Sequence, residues 1–136
     1  MKLATVLASG LLLLASACAG VQTAAVVEPS ASFTLAPGET AAVKGADARI
    51  TFKRVTDDSR CPVDVTCVWA GDAKIEITIS RNGAPDETRI LSITPPKHEA
   101  TVGNLRIKFV SLAPVPRQAD ASVPRNYRAE FVVDRV

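Results

Sequence analysis

Apolar and polar side chains alternate with a period of two through most of the chain after residue 31. The clearest case is 73–80, where Ala73, Ile75, Ile77 and Ile79 fall on one face and charged or hydroxyl side chains on the other. Because successive side chains of a strand point to opposite faces, this pattern predicts a β-strand with one buried face. No window after residue 31 shows the 3.6-residue period of an amphipathic helix.

Similar alternation predicts six further strands. They cover 32–35, 40–43, 49–54, 88–94, 105–112 and 127–134. Turn dipeptides separate several of them, at Pro37-Gly38, Asn82-Gly83 and Gly103-Asn104. The segment 98–101, which follows a pair of prolines, is expected to be short and irregular.

About seven to eight short strands with half-polar faces predict an all-β, antiparallel β-sandwich of the Ig-like or Greek-key type. A closed barrel is the alternative. The sandwich is favoured because two long irregular segments, 57–72 and 113–126, suit connections between sheets. The second of these contains three prolines, and its length is typical of a functional or mobile loop.

The N-terminus has the pattern of a cleaved signal peptide. Lys2 is followed by the apolar run 3–14 and by Ala15-Ser16-Ala17, directly before Cys18. This resembles a bacterial lipobox, in which the cysteine becomes the lipidated N-terminus. Ala15 departs from the usual leucine, and Ala15-x-Ala17 also satisfies ordinary signal peptidase. We therefore divide the chain into a lipoprotein signal peptide (1–17), a lipidated Cys18 with a flexible tether (18–31), and a β-sandwich domain (32–136).

A lipidated Cys18 predicts an address in the bacterial cell envelope. The resemblance to lipoproteins implies several acyl chains, which together anchor a protein stably in a membrane. Ala19 follows the cysteine, and by analogy with enterobacterial sorting this implies the periplasmic face of the outer membrane. Lipidation also leaves an even number of cysteines, as expected in an oxidising compartment.

The segment 57–72 is the most distinctive in composition, because it contains two of the three cysteines and the only tryptophan. Cys61 and Cys67 are close enough in sequence to form a disulfide, and Pro62 favours the turn that this requires. A redox pair or a metal site is the alternative. The two-residue spacer of dithiol catalysts is absent.

Metal and cofactor sites are not predicted. A zinc site needs four cysteine or histidine ligands, and the chain has a single histidine, His98, in addition to its cysteines. Four acidic residues in 57–72 offer oxygens to calcium, but the ordered calcium-loop motif is missing. We expect these acids to cap turns and solvate a loop.

Trp69 follows Cys67 by two residues, so both side chains would share a face if the backbone were extended. We then expect Trp69 to be largely buried against the disulfide, as in other sandwiches. An exposed Trp69 acting as a binding anchor is the alternative. The candidate binding surface comprises Asp58, Arg60, Asp64, Trp69 and Asp72.

The run from Asp58 to Gly71 reads D-S-R-C-P-x-x-V-x-C-V-W-A-G. It resembles the signature of a family of small, functionally uncharacterised bacterial envelope lipoproteins. The resemblance extends to 35–40 and to the region from Pro114 to Tyr127. It implies a shared fold and a shared cellular address, and it implies no particular activity.

The net charge argues against nucleic-acid binding, and the lack of catalytic motifs in the sequence argues against enzyme activity. The formal charge is +2, so there is no electrostatic case for nucleic acid as a partner. His98, expected to be a solvated loop residue, is the only histidine available for a catalytic triad, and no Gly-x-Ser-x-Gly motif is present. We therefore predict no catalytic residues and no enzyme activity.

The sequence favours a lipid-anchored, non-enzymatic envelope protein that acts as a binding or inhibitory module. Its expected partners are the membrane, through the acyl chains, and an envelope protein or cell-wall component. The alternative is a structural or assembly accessory of an outer-membrane complex, docking by strand pairing or loop contact.

Overall fold

The computed structural model describes residues 23–136. The predicted signal peptide and Cys18 lie outside the described residues. Within them the chain forms nine strands: β1 Ala25–Val27, β2 Ser32–Leu35, β3 Thr40–Val43, β4 Ala48–Asp58, β5 Ala73–Arg81, β6 Glu87–Ser92, β7 Glu99–Val102, β8 Leu105–Ala113 and β9 Arg128–Arg135. A single 3-10 turn, Gln118–Asp120, lies between β8 and β9.

The strands form two sheets, which confirms the predicted all-β sandwich. One sheet has the order β1-β3-β4-β5-β6 and the other the order β2-β9-β8-β7. All neighbouring strands are antiparallel except β1 and β3, which are parallel. The chain changes sheet after β1, β2 and β6.

The period-two alternation places the core as predicted. On β5, the side chains of Ala73, Ile75, Ile77 and Ile79 are all fully buried. The facing sheet contributes the alternate residues of β8 and β9. These inward faces meet between the sheets, which is the way a sandwich buries one face of each sheet.

The four phenylalanines of the chain pack together in this core. Phe131 is central: its ring centroid lies 5.8 Å from that of Phe33, 6.1 Å from that of Phe52 and 6.0 Å from that of Phe109. The four residues come from both sheets. Aromatic pairs at such distances stabilise a core beyond the area they bury.

Two strands differ from the sequence-based expectation. β1 lies inside the segment expected to be a flexible tether, where it pairs with β3 and buries Val27. Three residues are too few to show a period, so β1 could not be predicted from alternation. β7 replaces the irregular segment expected at 98–101, and it pairs with β8.

The sandwich has two unlike ends. The turn end consists of the short turns 44–47, 82–86 and 103–104. The loop end consists of the cysteine loop (59–72) and the proline loop (114–127), together with the connection 93–98. Cross-contacts define each end: Asn82 donates its N–H to the Asp47 carbonyl at the turn end, and Val63 donates to the Pro116 carbonyl at the loop end.

Candidate functional site

The cysteine loop begins as a continuation of the β4–β5 hairpin. The Ser59 N–H donates to the Asp72 carbonyl and the Cys61 N–H to the Ala70 carbonyl, both at 2.8 Å. Gly71 lies between these pairs with φ +72°, and a Cβ there would overlap the carbonyl of Ser59. Only glycine combines this backbone conformation with so close an approach.

The tip of the cysteine loop is closed by the disulfide between Cys61 and Cys67, which confirms the predicted pairing. Their Cα atoms are 5.9 Å apart. Inside the closed ring, the Val63 N–H donates to the Pro116 carbonyl at 3.0 Å. The tip is therefore attached to the proline loop as well as to its own hairpin.

Asp58 joins the two loops through a buried carboxylate. Its side chain is only 5% exposed. It accepts hydrogen bonds from Arg60 at 2.7 and 2.9 Å, from Arg125 at 2.7 Å and from the Tyr127 hydroxyl at 3.0 Å. Arg60 also donates to the carbonyls of Leu112 and Pro114. One carboxylate thus holds the base of both loops.

Two opposing effects set the pKa of Asp58. Burial favours the neutral acid and would raise the pKa, but the hydrogen bonds from Arg60 and Tyr127 and the charges of Arg60 and Arg125 favour the anion. The net result is a pKa below the ordinary value for an aspartate. Asp58 is therefore an anion at neutral pH, paired with two guanidinium groups.

Asp64 makes a second connection between the loops. Its carboxylate accepts the backbone N–H groups of Gln118 at 2.7 Å and Ala119 at 3.2 Å, at the start of the 3-10 turn. These bonds hold the pKa of Asp64 below its usual range. Asp64 thus caps the 3-10 turn of the proline loop.

Asp72 fixes the other side of the cysteine loop. Its carboxylate accepts the hydroxyl of Ser92 at 2.8 Å and that of Thr94 at 3.2 Å. Ser92 ends β6 and is itself buried. The cysteine loop is therefore bound to the connection between the sheets as well as to the proline loop.

The prediction that Trp69 is largely buried is wrong. Its side chain is 83% exposed, and that of neighbouring Val68 is 92% exposed. The backbone bends at these two residues instead of continuing as a strand. Cys67 is itself exposed, because the disulfide closes a loop tip that projects beyond the sheets and so offers no core for Trp69 to enter.

The loops present an exposed apolar surface, which we call the loop-end patch. It consists of Val63, Val65, Val68, Trp69, Val115 and Val123. A shallow cleft of about 400 Å³ adjoins it in the proline loop, between Val115 and Val123, with Arg117 and Arg128 on its wall. Large exposed apolar side chains that cluster at one place, with a polar rim, are typical of an interaction site.

Of the five residues expected to form a binding surface, Trp69 alone points freely to solvent. The polar side-chain groups of the other four are instead engaged with other parts of the chain; these are Asp58, Arg60, Asp64 and Asp72. Sequence reasoning missed Val68, Arg125 and Tyr127. Tyr127 meets Asp58 from 69 positions away, a pairing for which one sequence carries no signal.

Other functional groups are sparse in the part of the chain that is described. His98 is partly buried, with its Nε2 4.0 Å from the carboxylate of Glu99. Across residues 23–136, no three His, Cys, Asp or Glu side chains are grouped so that they could hold a metal ion. Within the same residues, no helix is long and apolar enough to cross a membrane.

Comparisons with known proteins add no relative. No protein-family model, no curated protein and no solved structure matches this chain.

Proposed function

We propose that this protein is a lipid-anchored, non-enzymatic binding module of the bacterial cell envelope, and that the loop-end patch is its recognition surface. The observation that supports this most strongly is the pair Val68 and Trp69, almost fully exposed side by side on tightly held loops. Tryptophan is enriched among the residues that dominate binding energy at interfaces. The lipid anchor in this proposal rests on Cys18 and the motif before it.

The way the loops are held supports a binding role. The disulfide, the ion pairs of Asp58 and the cap made by Asp64 restrain the backbone on both sides of the patch. A surface that is already ordered loses less conformational entropy when a partner arrives, so more of the contact energy becomes affinity. The same design suits an inhibitory module that presents a rigid loop.

Loop contact is favoured over strand pairing as the mode of docking. An accessory that adds a strand needs an accessible sheet edge. Three of the four edge strands, β1, β2 and β7, have only three or four residues. The fourth, β6, has six residues. The two most exposed large apolar side chains, Val68 and Trp69, lie on the cysteine loop and not on an edge strand.

Site-specific photo-crosslinking in living cells tests the recognition surface. A photoreactive amino acid at Val68 should form adducts with an envelope component. The same amino acid at Asn82, an exposed position at the turn end, is the matched control and should form few. Equal labelling from both positions, or none from either, would refute the proposal.

A separate measurement tests the anchor. Mass spectrometry of the protein extracted from membranes should show acyl chains on an N-terminal Cys18. A soluble form that begins at an unmodified Cys18 would remove the lipid anchor from the proposal.

A further inference from the structure

We infer that the loop-end patch docks on the lipid bilayer that holds the acylated Cys18, so that the bilayer surface is itself the partner of the patch. This inference rests on the lipid anchor of the proposed function. It goes further by assigning an orientation to the domain and a chemical class to the partner. Three observations support it: the direction in which the chain enters the sandwich, the shortness of its connection to Cys18, and the difference between the two ends.

The chain enters the sandwich from the side of the loop end. Ala25 pairs with Ala41, which pairs with Ile50 on β4. β1 is parallel to β3 and therefore antiparallel to β4, which runs toward the loop end and finishes at Asp58. Going backward along β1, from Val27 to Ala25, thus leads toward the loop end.

The position of Thr23 along the length of β4 can be located through Glu39 and Phe52. Thr23 borders the same cleft as Glu39. The carbonyl of Glu39 accepts the N–H of Phe52 at 3.0 Å. Thr23 therefore lies roughly level with Phe52, near the middle of β4.

The connection is too short to hold the domain away from the membrane. Cys18 precedes Thr23 by five residues, which span at most about 18 Å even when fully extended. Residues 25–27 form β1 instead of belonging to a flexible tether, so the connection is shorter than the sequence suggested. From the level of Phe52, the chain would have to reverse and cover about 20 Å to pass the turn at Ala46, at about 3.4 Å per residue. By the same count Asp58, at the base of the loop end, is also about 20 Å from the level of Phe52. It lies in the direction from which the chain enters, so no reversal is needed, and the direction of entry favours the loop end on the bilayer.

The two ends of the sandwich differ in the number of exposed apolar side chains that could insert into a bilayer. The exposed large apolar residues of the loops lie at the loop end. Near the turn end, the described residues include two, Val136 and Val26, the latter on β1 beside the turn 44–47. Tryptophan is favoured at the membrane interface, where its apolar ring and its N–H are both accommodated. Apolar side chains at such an interface enter about 5–10 Å into the boundary between headgroups and acyl chains.

The rim of the patch is compatible with a lipid surface. Arg117 and Arg128 are exposed beside it together with Asp120, and Arg128 lies 3.9 Å from the carboxylate of Glu39. Long arginine side chains can reach lipid phosphates while the apolar residues insert. The chain is close to neutral overall, so docking should depend on apolar insertion and not on anionic lipid. The acyl chains and the patch would then act as two signals for one membrane, a combination that binds more stably than either alone.

Tryptophan fluorescence tests the inference directly, because Trp69 is the only tryptophan of the chain. The mature, acylated protein is incorporated into phosphatidylcholine vesicles whose acyl chains carry bromine, a quencher of tryptophan emission. We expect Trp69 emission to be blue-shifted and quenched by the brominated lipid, and to lose its quenching by aqueous acrylamide. The unacylated Cys18→Ser form in solution should show the opposite behaviour.

A matched control moves the reporter to the other end of the sandwich. In the double variant Trp69→Phe/Asn82→Trp, the tryptophan should remain open to acrylamide and insensitive to brominated lipid. Equal lipid quenching of both reporters would overturn the assigned orientation.

Mass spectrometry of the same protein sample distinguishes a failure of docking on the bilayer from a failure of the lipid anchor. If Cys18 carries acyl chains and Trp69 is still open to acrylamide, docking on the bilayer is refuted, and a protein partner is left for the patch. If Cys18 carries no acyl chain, the lipid anchor and the docking fail together.

Discussion

Trp69 and Val68 lie outside the sandwich core, whereas three of the four phenylalanines are buried inside it and the fourth, Phe33, packs against it. An aromatic side chain that is left in water gains nothing from burial in the native state. Its presence on a disulfide-closed loop is better explained by what the loop contacts than by folding.

Replacement of Trp69 by alanine should therefore leave the fold intact. Surface substitutions away from special features usually change the free energy of unfolding by less than about 0.5 kcal/mol. The contrasting variant is Phe131→Ala, at the centre of the core, which should cost about 3–5 kcal/mol. Urea unfolding of both variants measures this. A large loss of stability in Trp69→Ala would show that the side chain is structural.

Gly71 is the backbone position on which the hairpin extension depends. Gly71→Ala would combine a left-handed φ with a clash against Ser59, and we expect it to destabilise by more than about 2 kcal/mol. Gly83→Ala is the matched control, since Gly83 has φ +74° but nothing within 4 Å of the added Cβ. It should cost about 1 kcal/mol. Similar free energies of unfolding for the two variants would contradict the close approach seen here.

Asp58 makes the stability depend on pH in a defined direction. Because its folded-state pKa is lowered, its contribution is fully present above the unfolded value of about 3.9. It is lost as the pH falls through the still lower folded-state value. The wild-type protein should therefore lose stability in acid, and Asp58→Asn should lose part of that pH dependence.

At neutral pH, Asp58→Asn should also cost about 2–3 kcal/mol, because it weakens hydrogen bonds from charged partners in a buried place. Asp86→Asn is the control, since Asp86 is exposed and makes no ion pair within 4 Å among the described residues. Chemical denaturation at a series of pH values measures both effects. If the free energy of unfolding of the two variants had the same value and the same pH dependence, the stabilising role of the Asp58 carboxylate would be contradicted.

At the scale of elements, the β4–β5 hairpin and the cysteine loop form one unit. Two backbone hydrogen bonds extend the hairpin beyond Asp58, and the disulfide closes its tip. The proline loop is folded against this unit by Asp58 and Asp64. The disulfide thus orders a loop outside the core, and it is not part of the core itself.

Replacement of both Cys61 and Cys67 by serine should lower the free energy of unfolding by about 2.4 kcal/mol in the chain-entropy model. The emission maximum of Trp69 should stay nearly unchanged, because its ring is already exposed. Denaturant titration followed by fluorescence gives both values. In the native wild-type protein these two cysteines should resist thiol reagents unless a reductant is added, and rapid labelling would contradict the bond.

Most strands could be predicted from their alternation, including the four-residue strands β2 and β3, but β1 and β7 could not. β5 follows from four apolar residues at alternate positions, all of them buried. β1 is too short for any period, and it exists because β3 offers it a parallel edge. β7 follows a proline pair that resembles the end of regular structure. Such elements are fixed by their neighbours in space, which local patterns do not contain.

At the scale of the whole molecule, the sandwich places its two long connections at one end and its tight turns at the other. The segments that form the loop end were recognisable from the sequence, as was the disulfide between Cys61 and Cys67. The orientation of Trp69 was not, because it depends on a bend at the loop tip. The partners of Asp58 were also hidden, since Arg125 and Tyr127 reach it only through the fold.

Hydroxyl-radical footprinting with peptide mass spectrometry tests most directly the claim that the loop end is the contact surface. The oxidation rate of Trp69 is compared between the acylated protein in intact envelopes and the released Cys18→Ser form. Pro85, exposed at the turn end, serves as the internal reference. We predict that Trp69 is oxidised several times more slowly in the envelope, while Pro85 reacts at the same rate in both forms. An equal rate for Trp69 in both forms would contradict the claim.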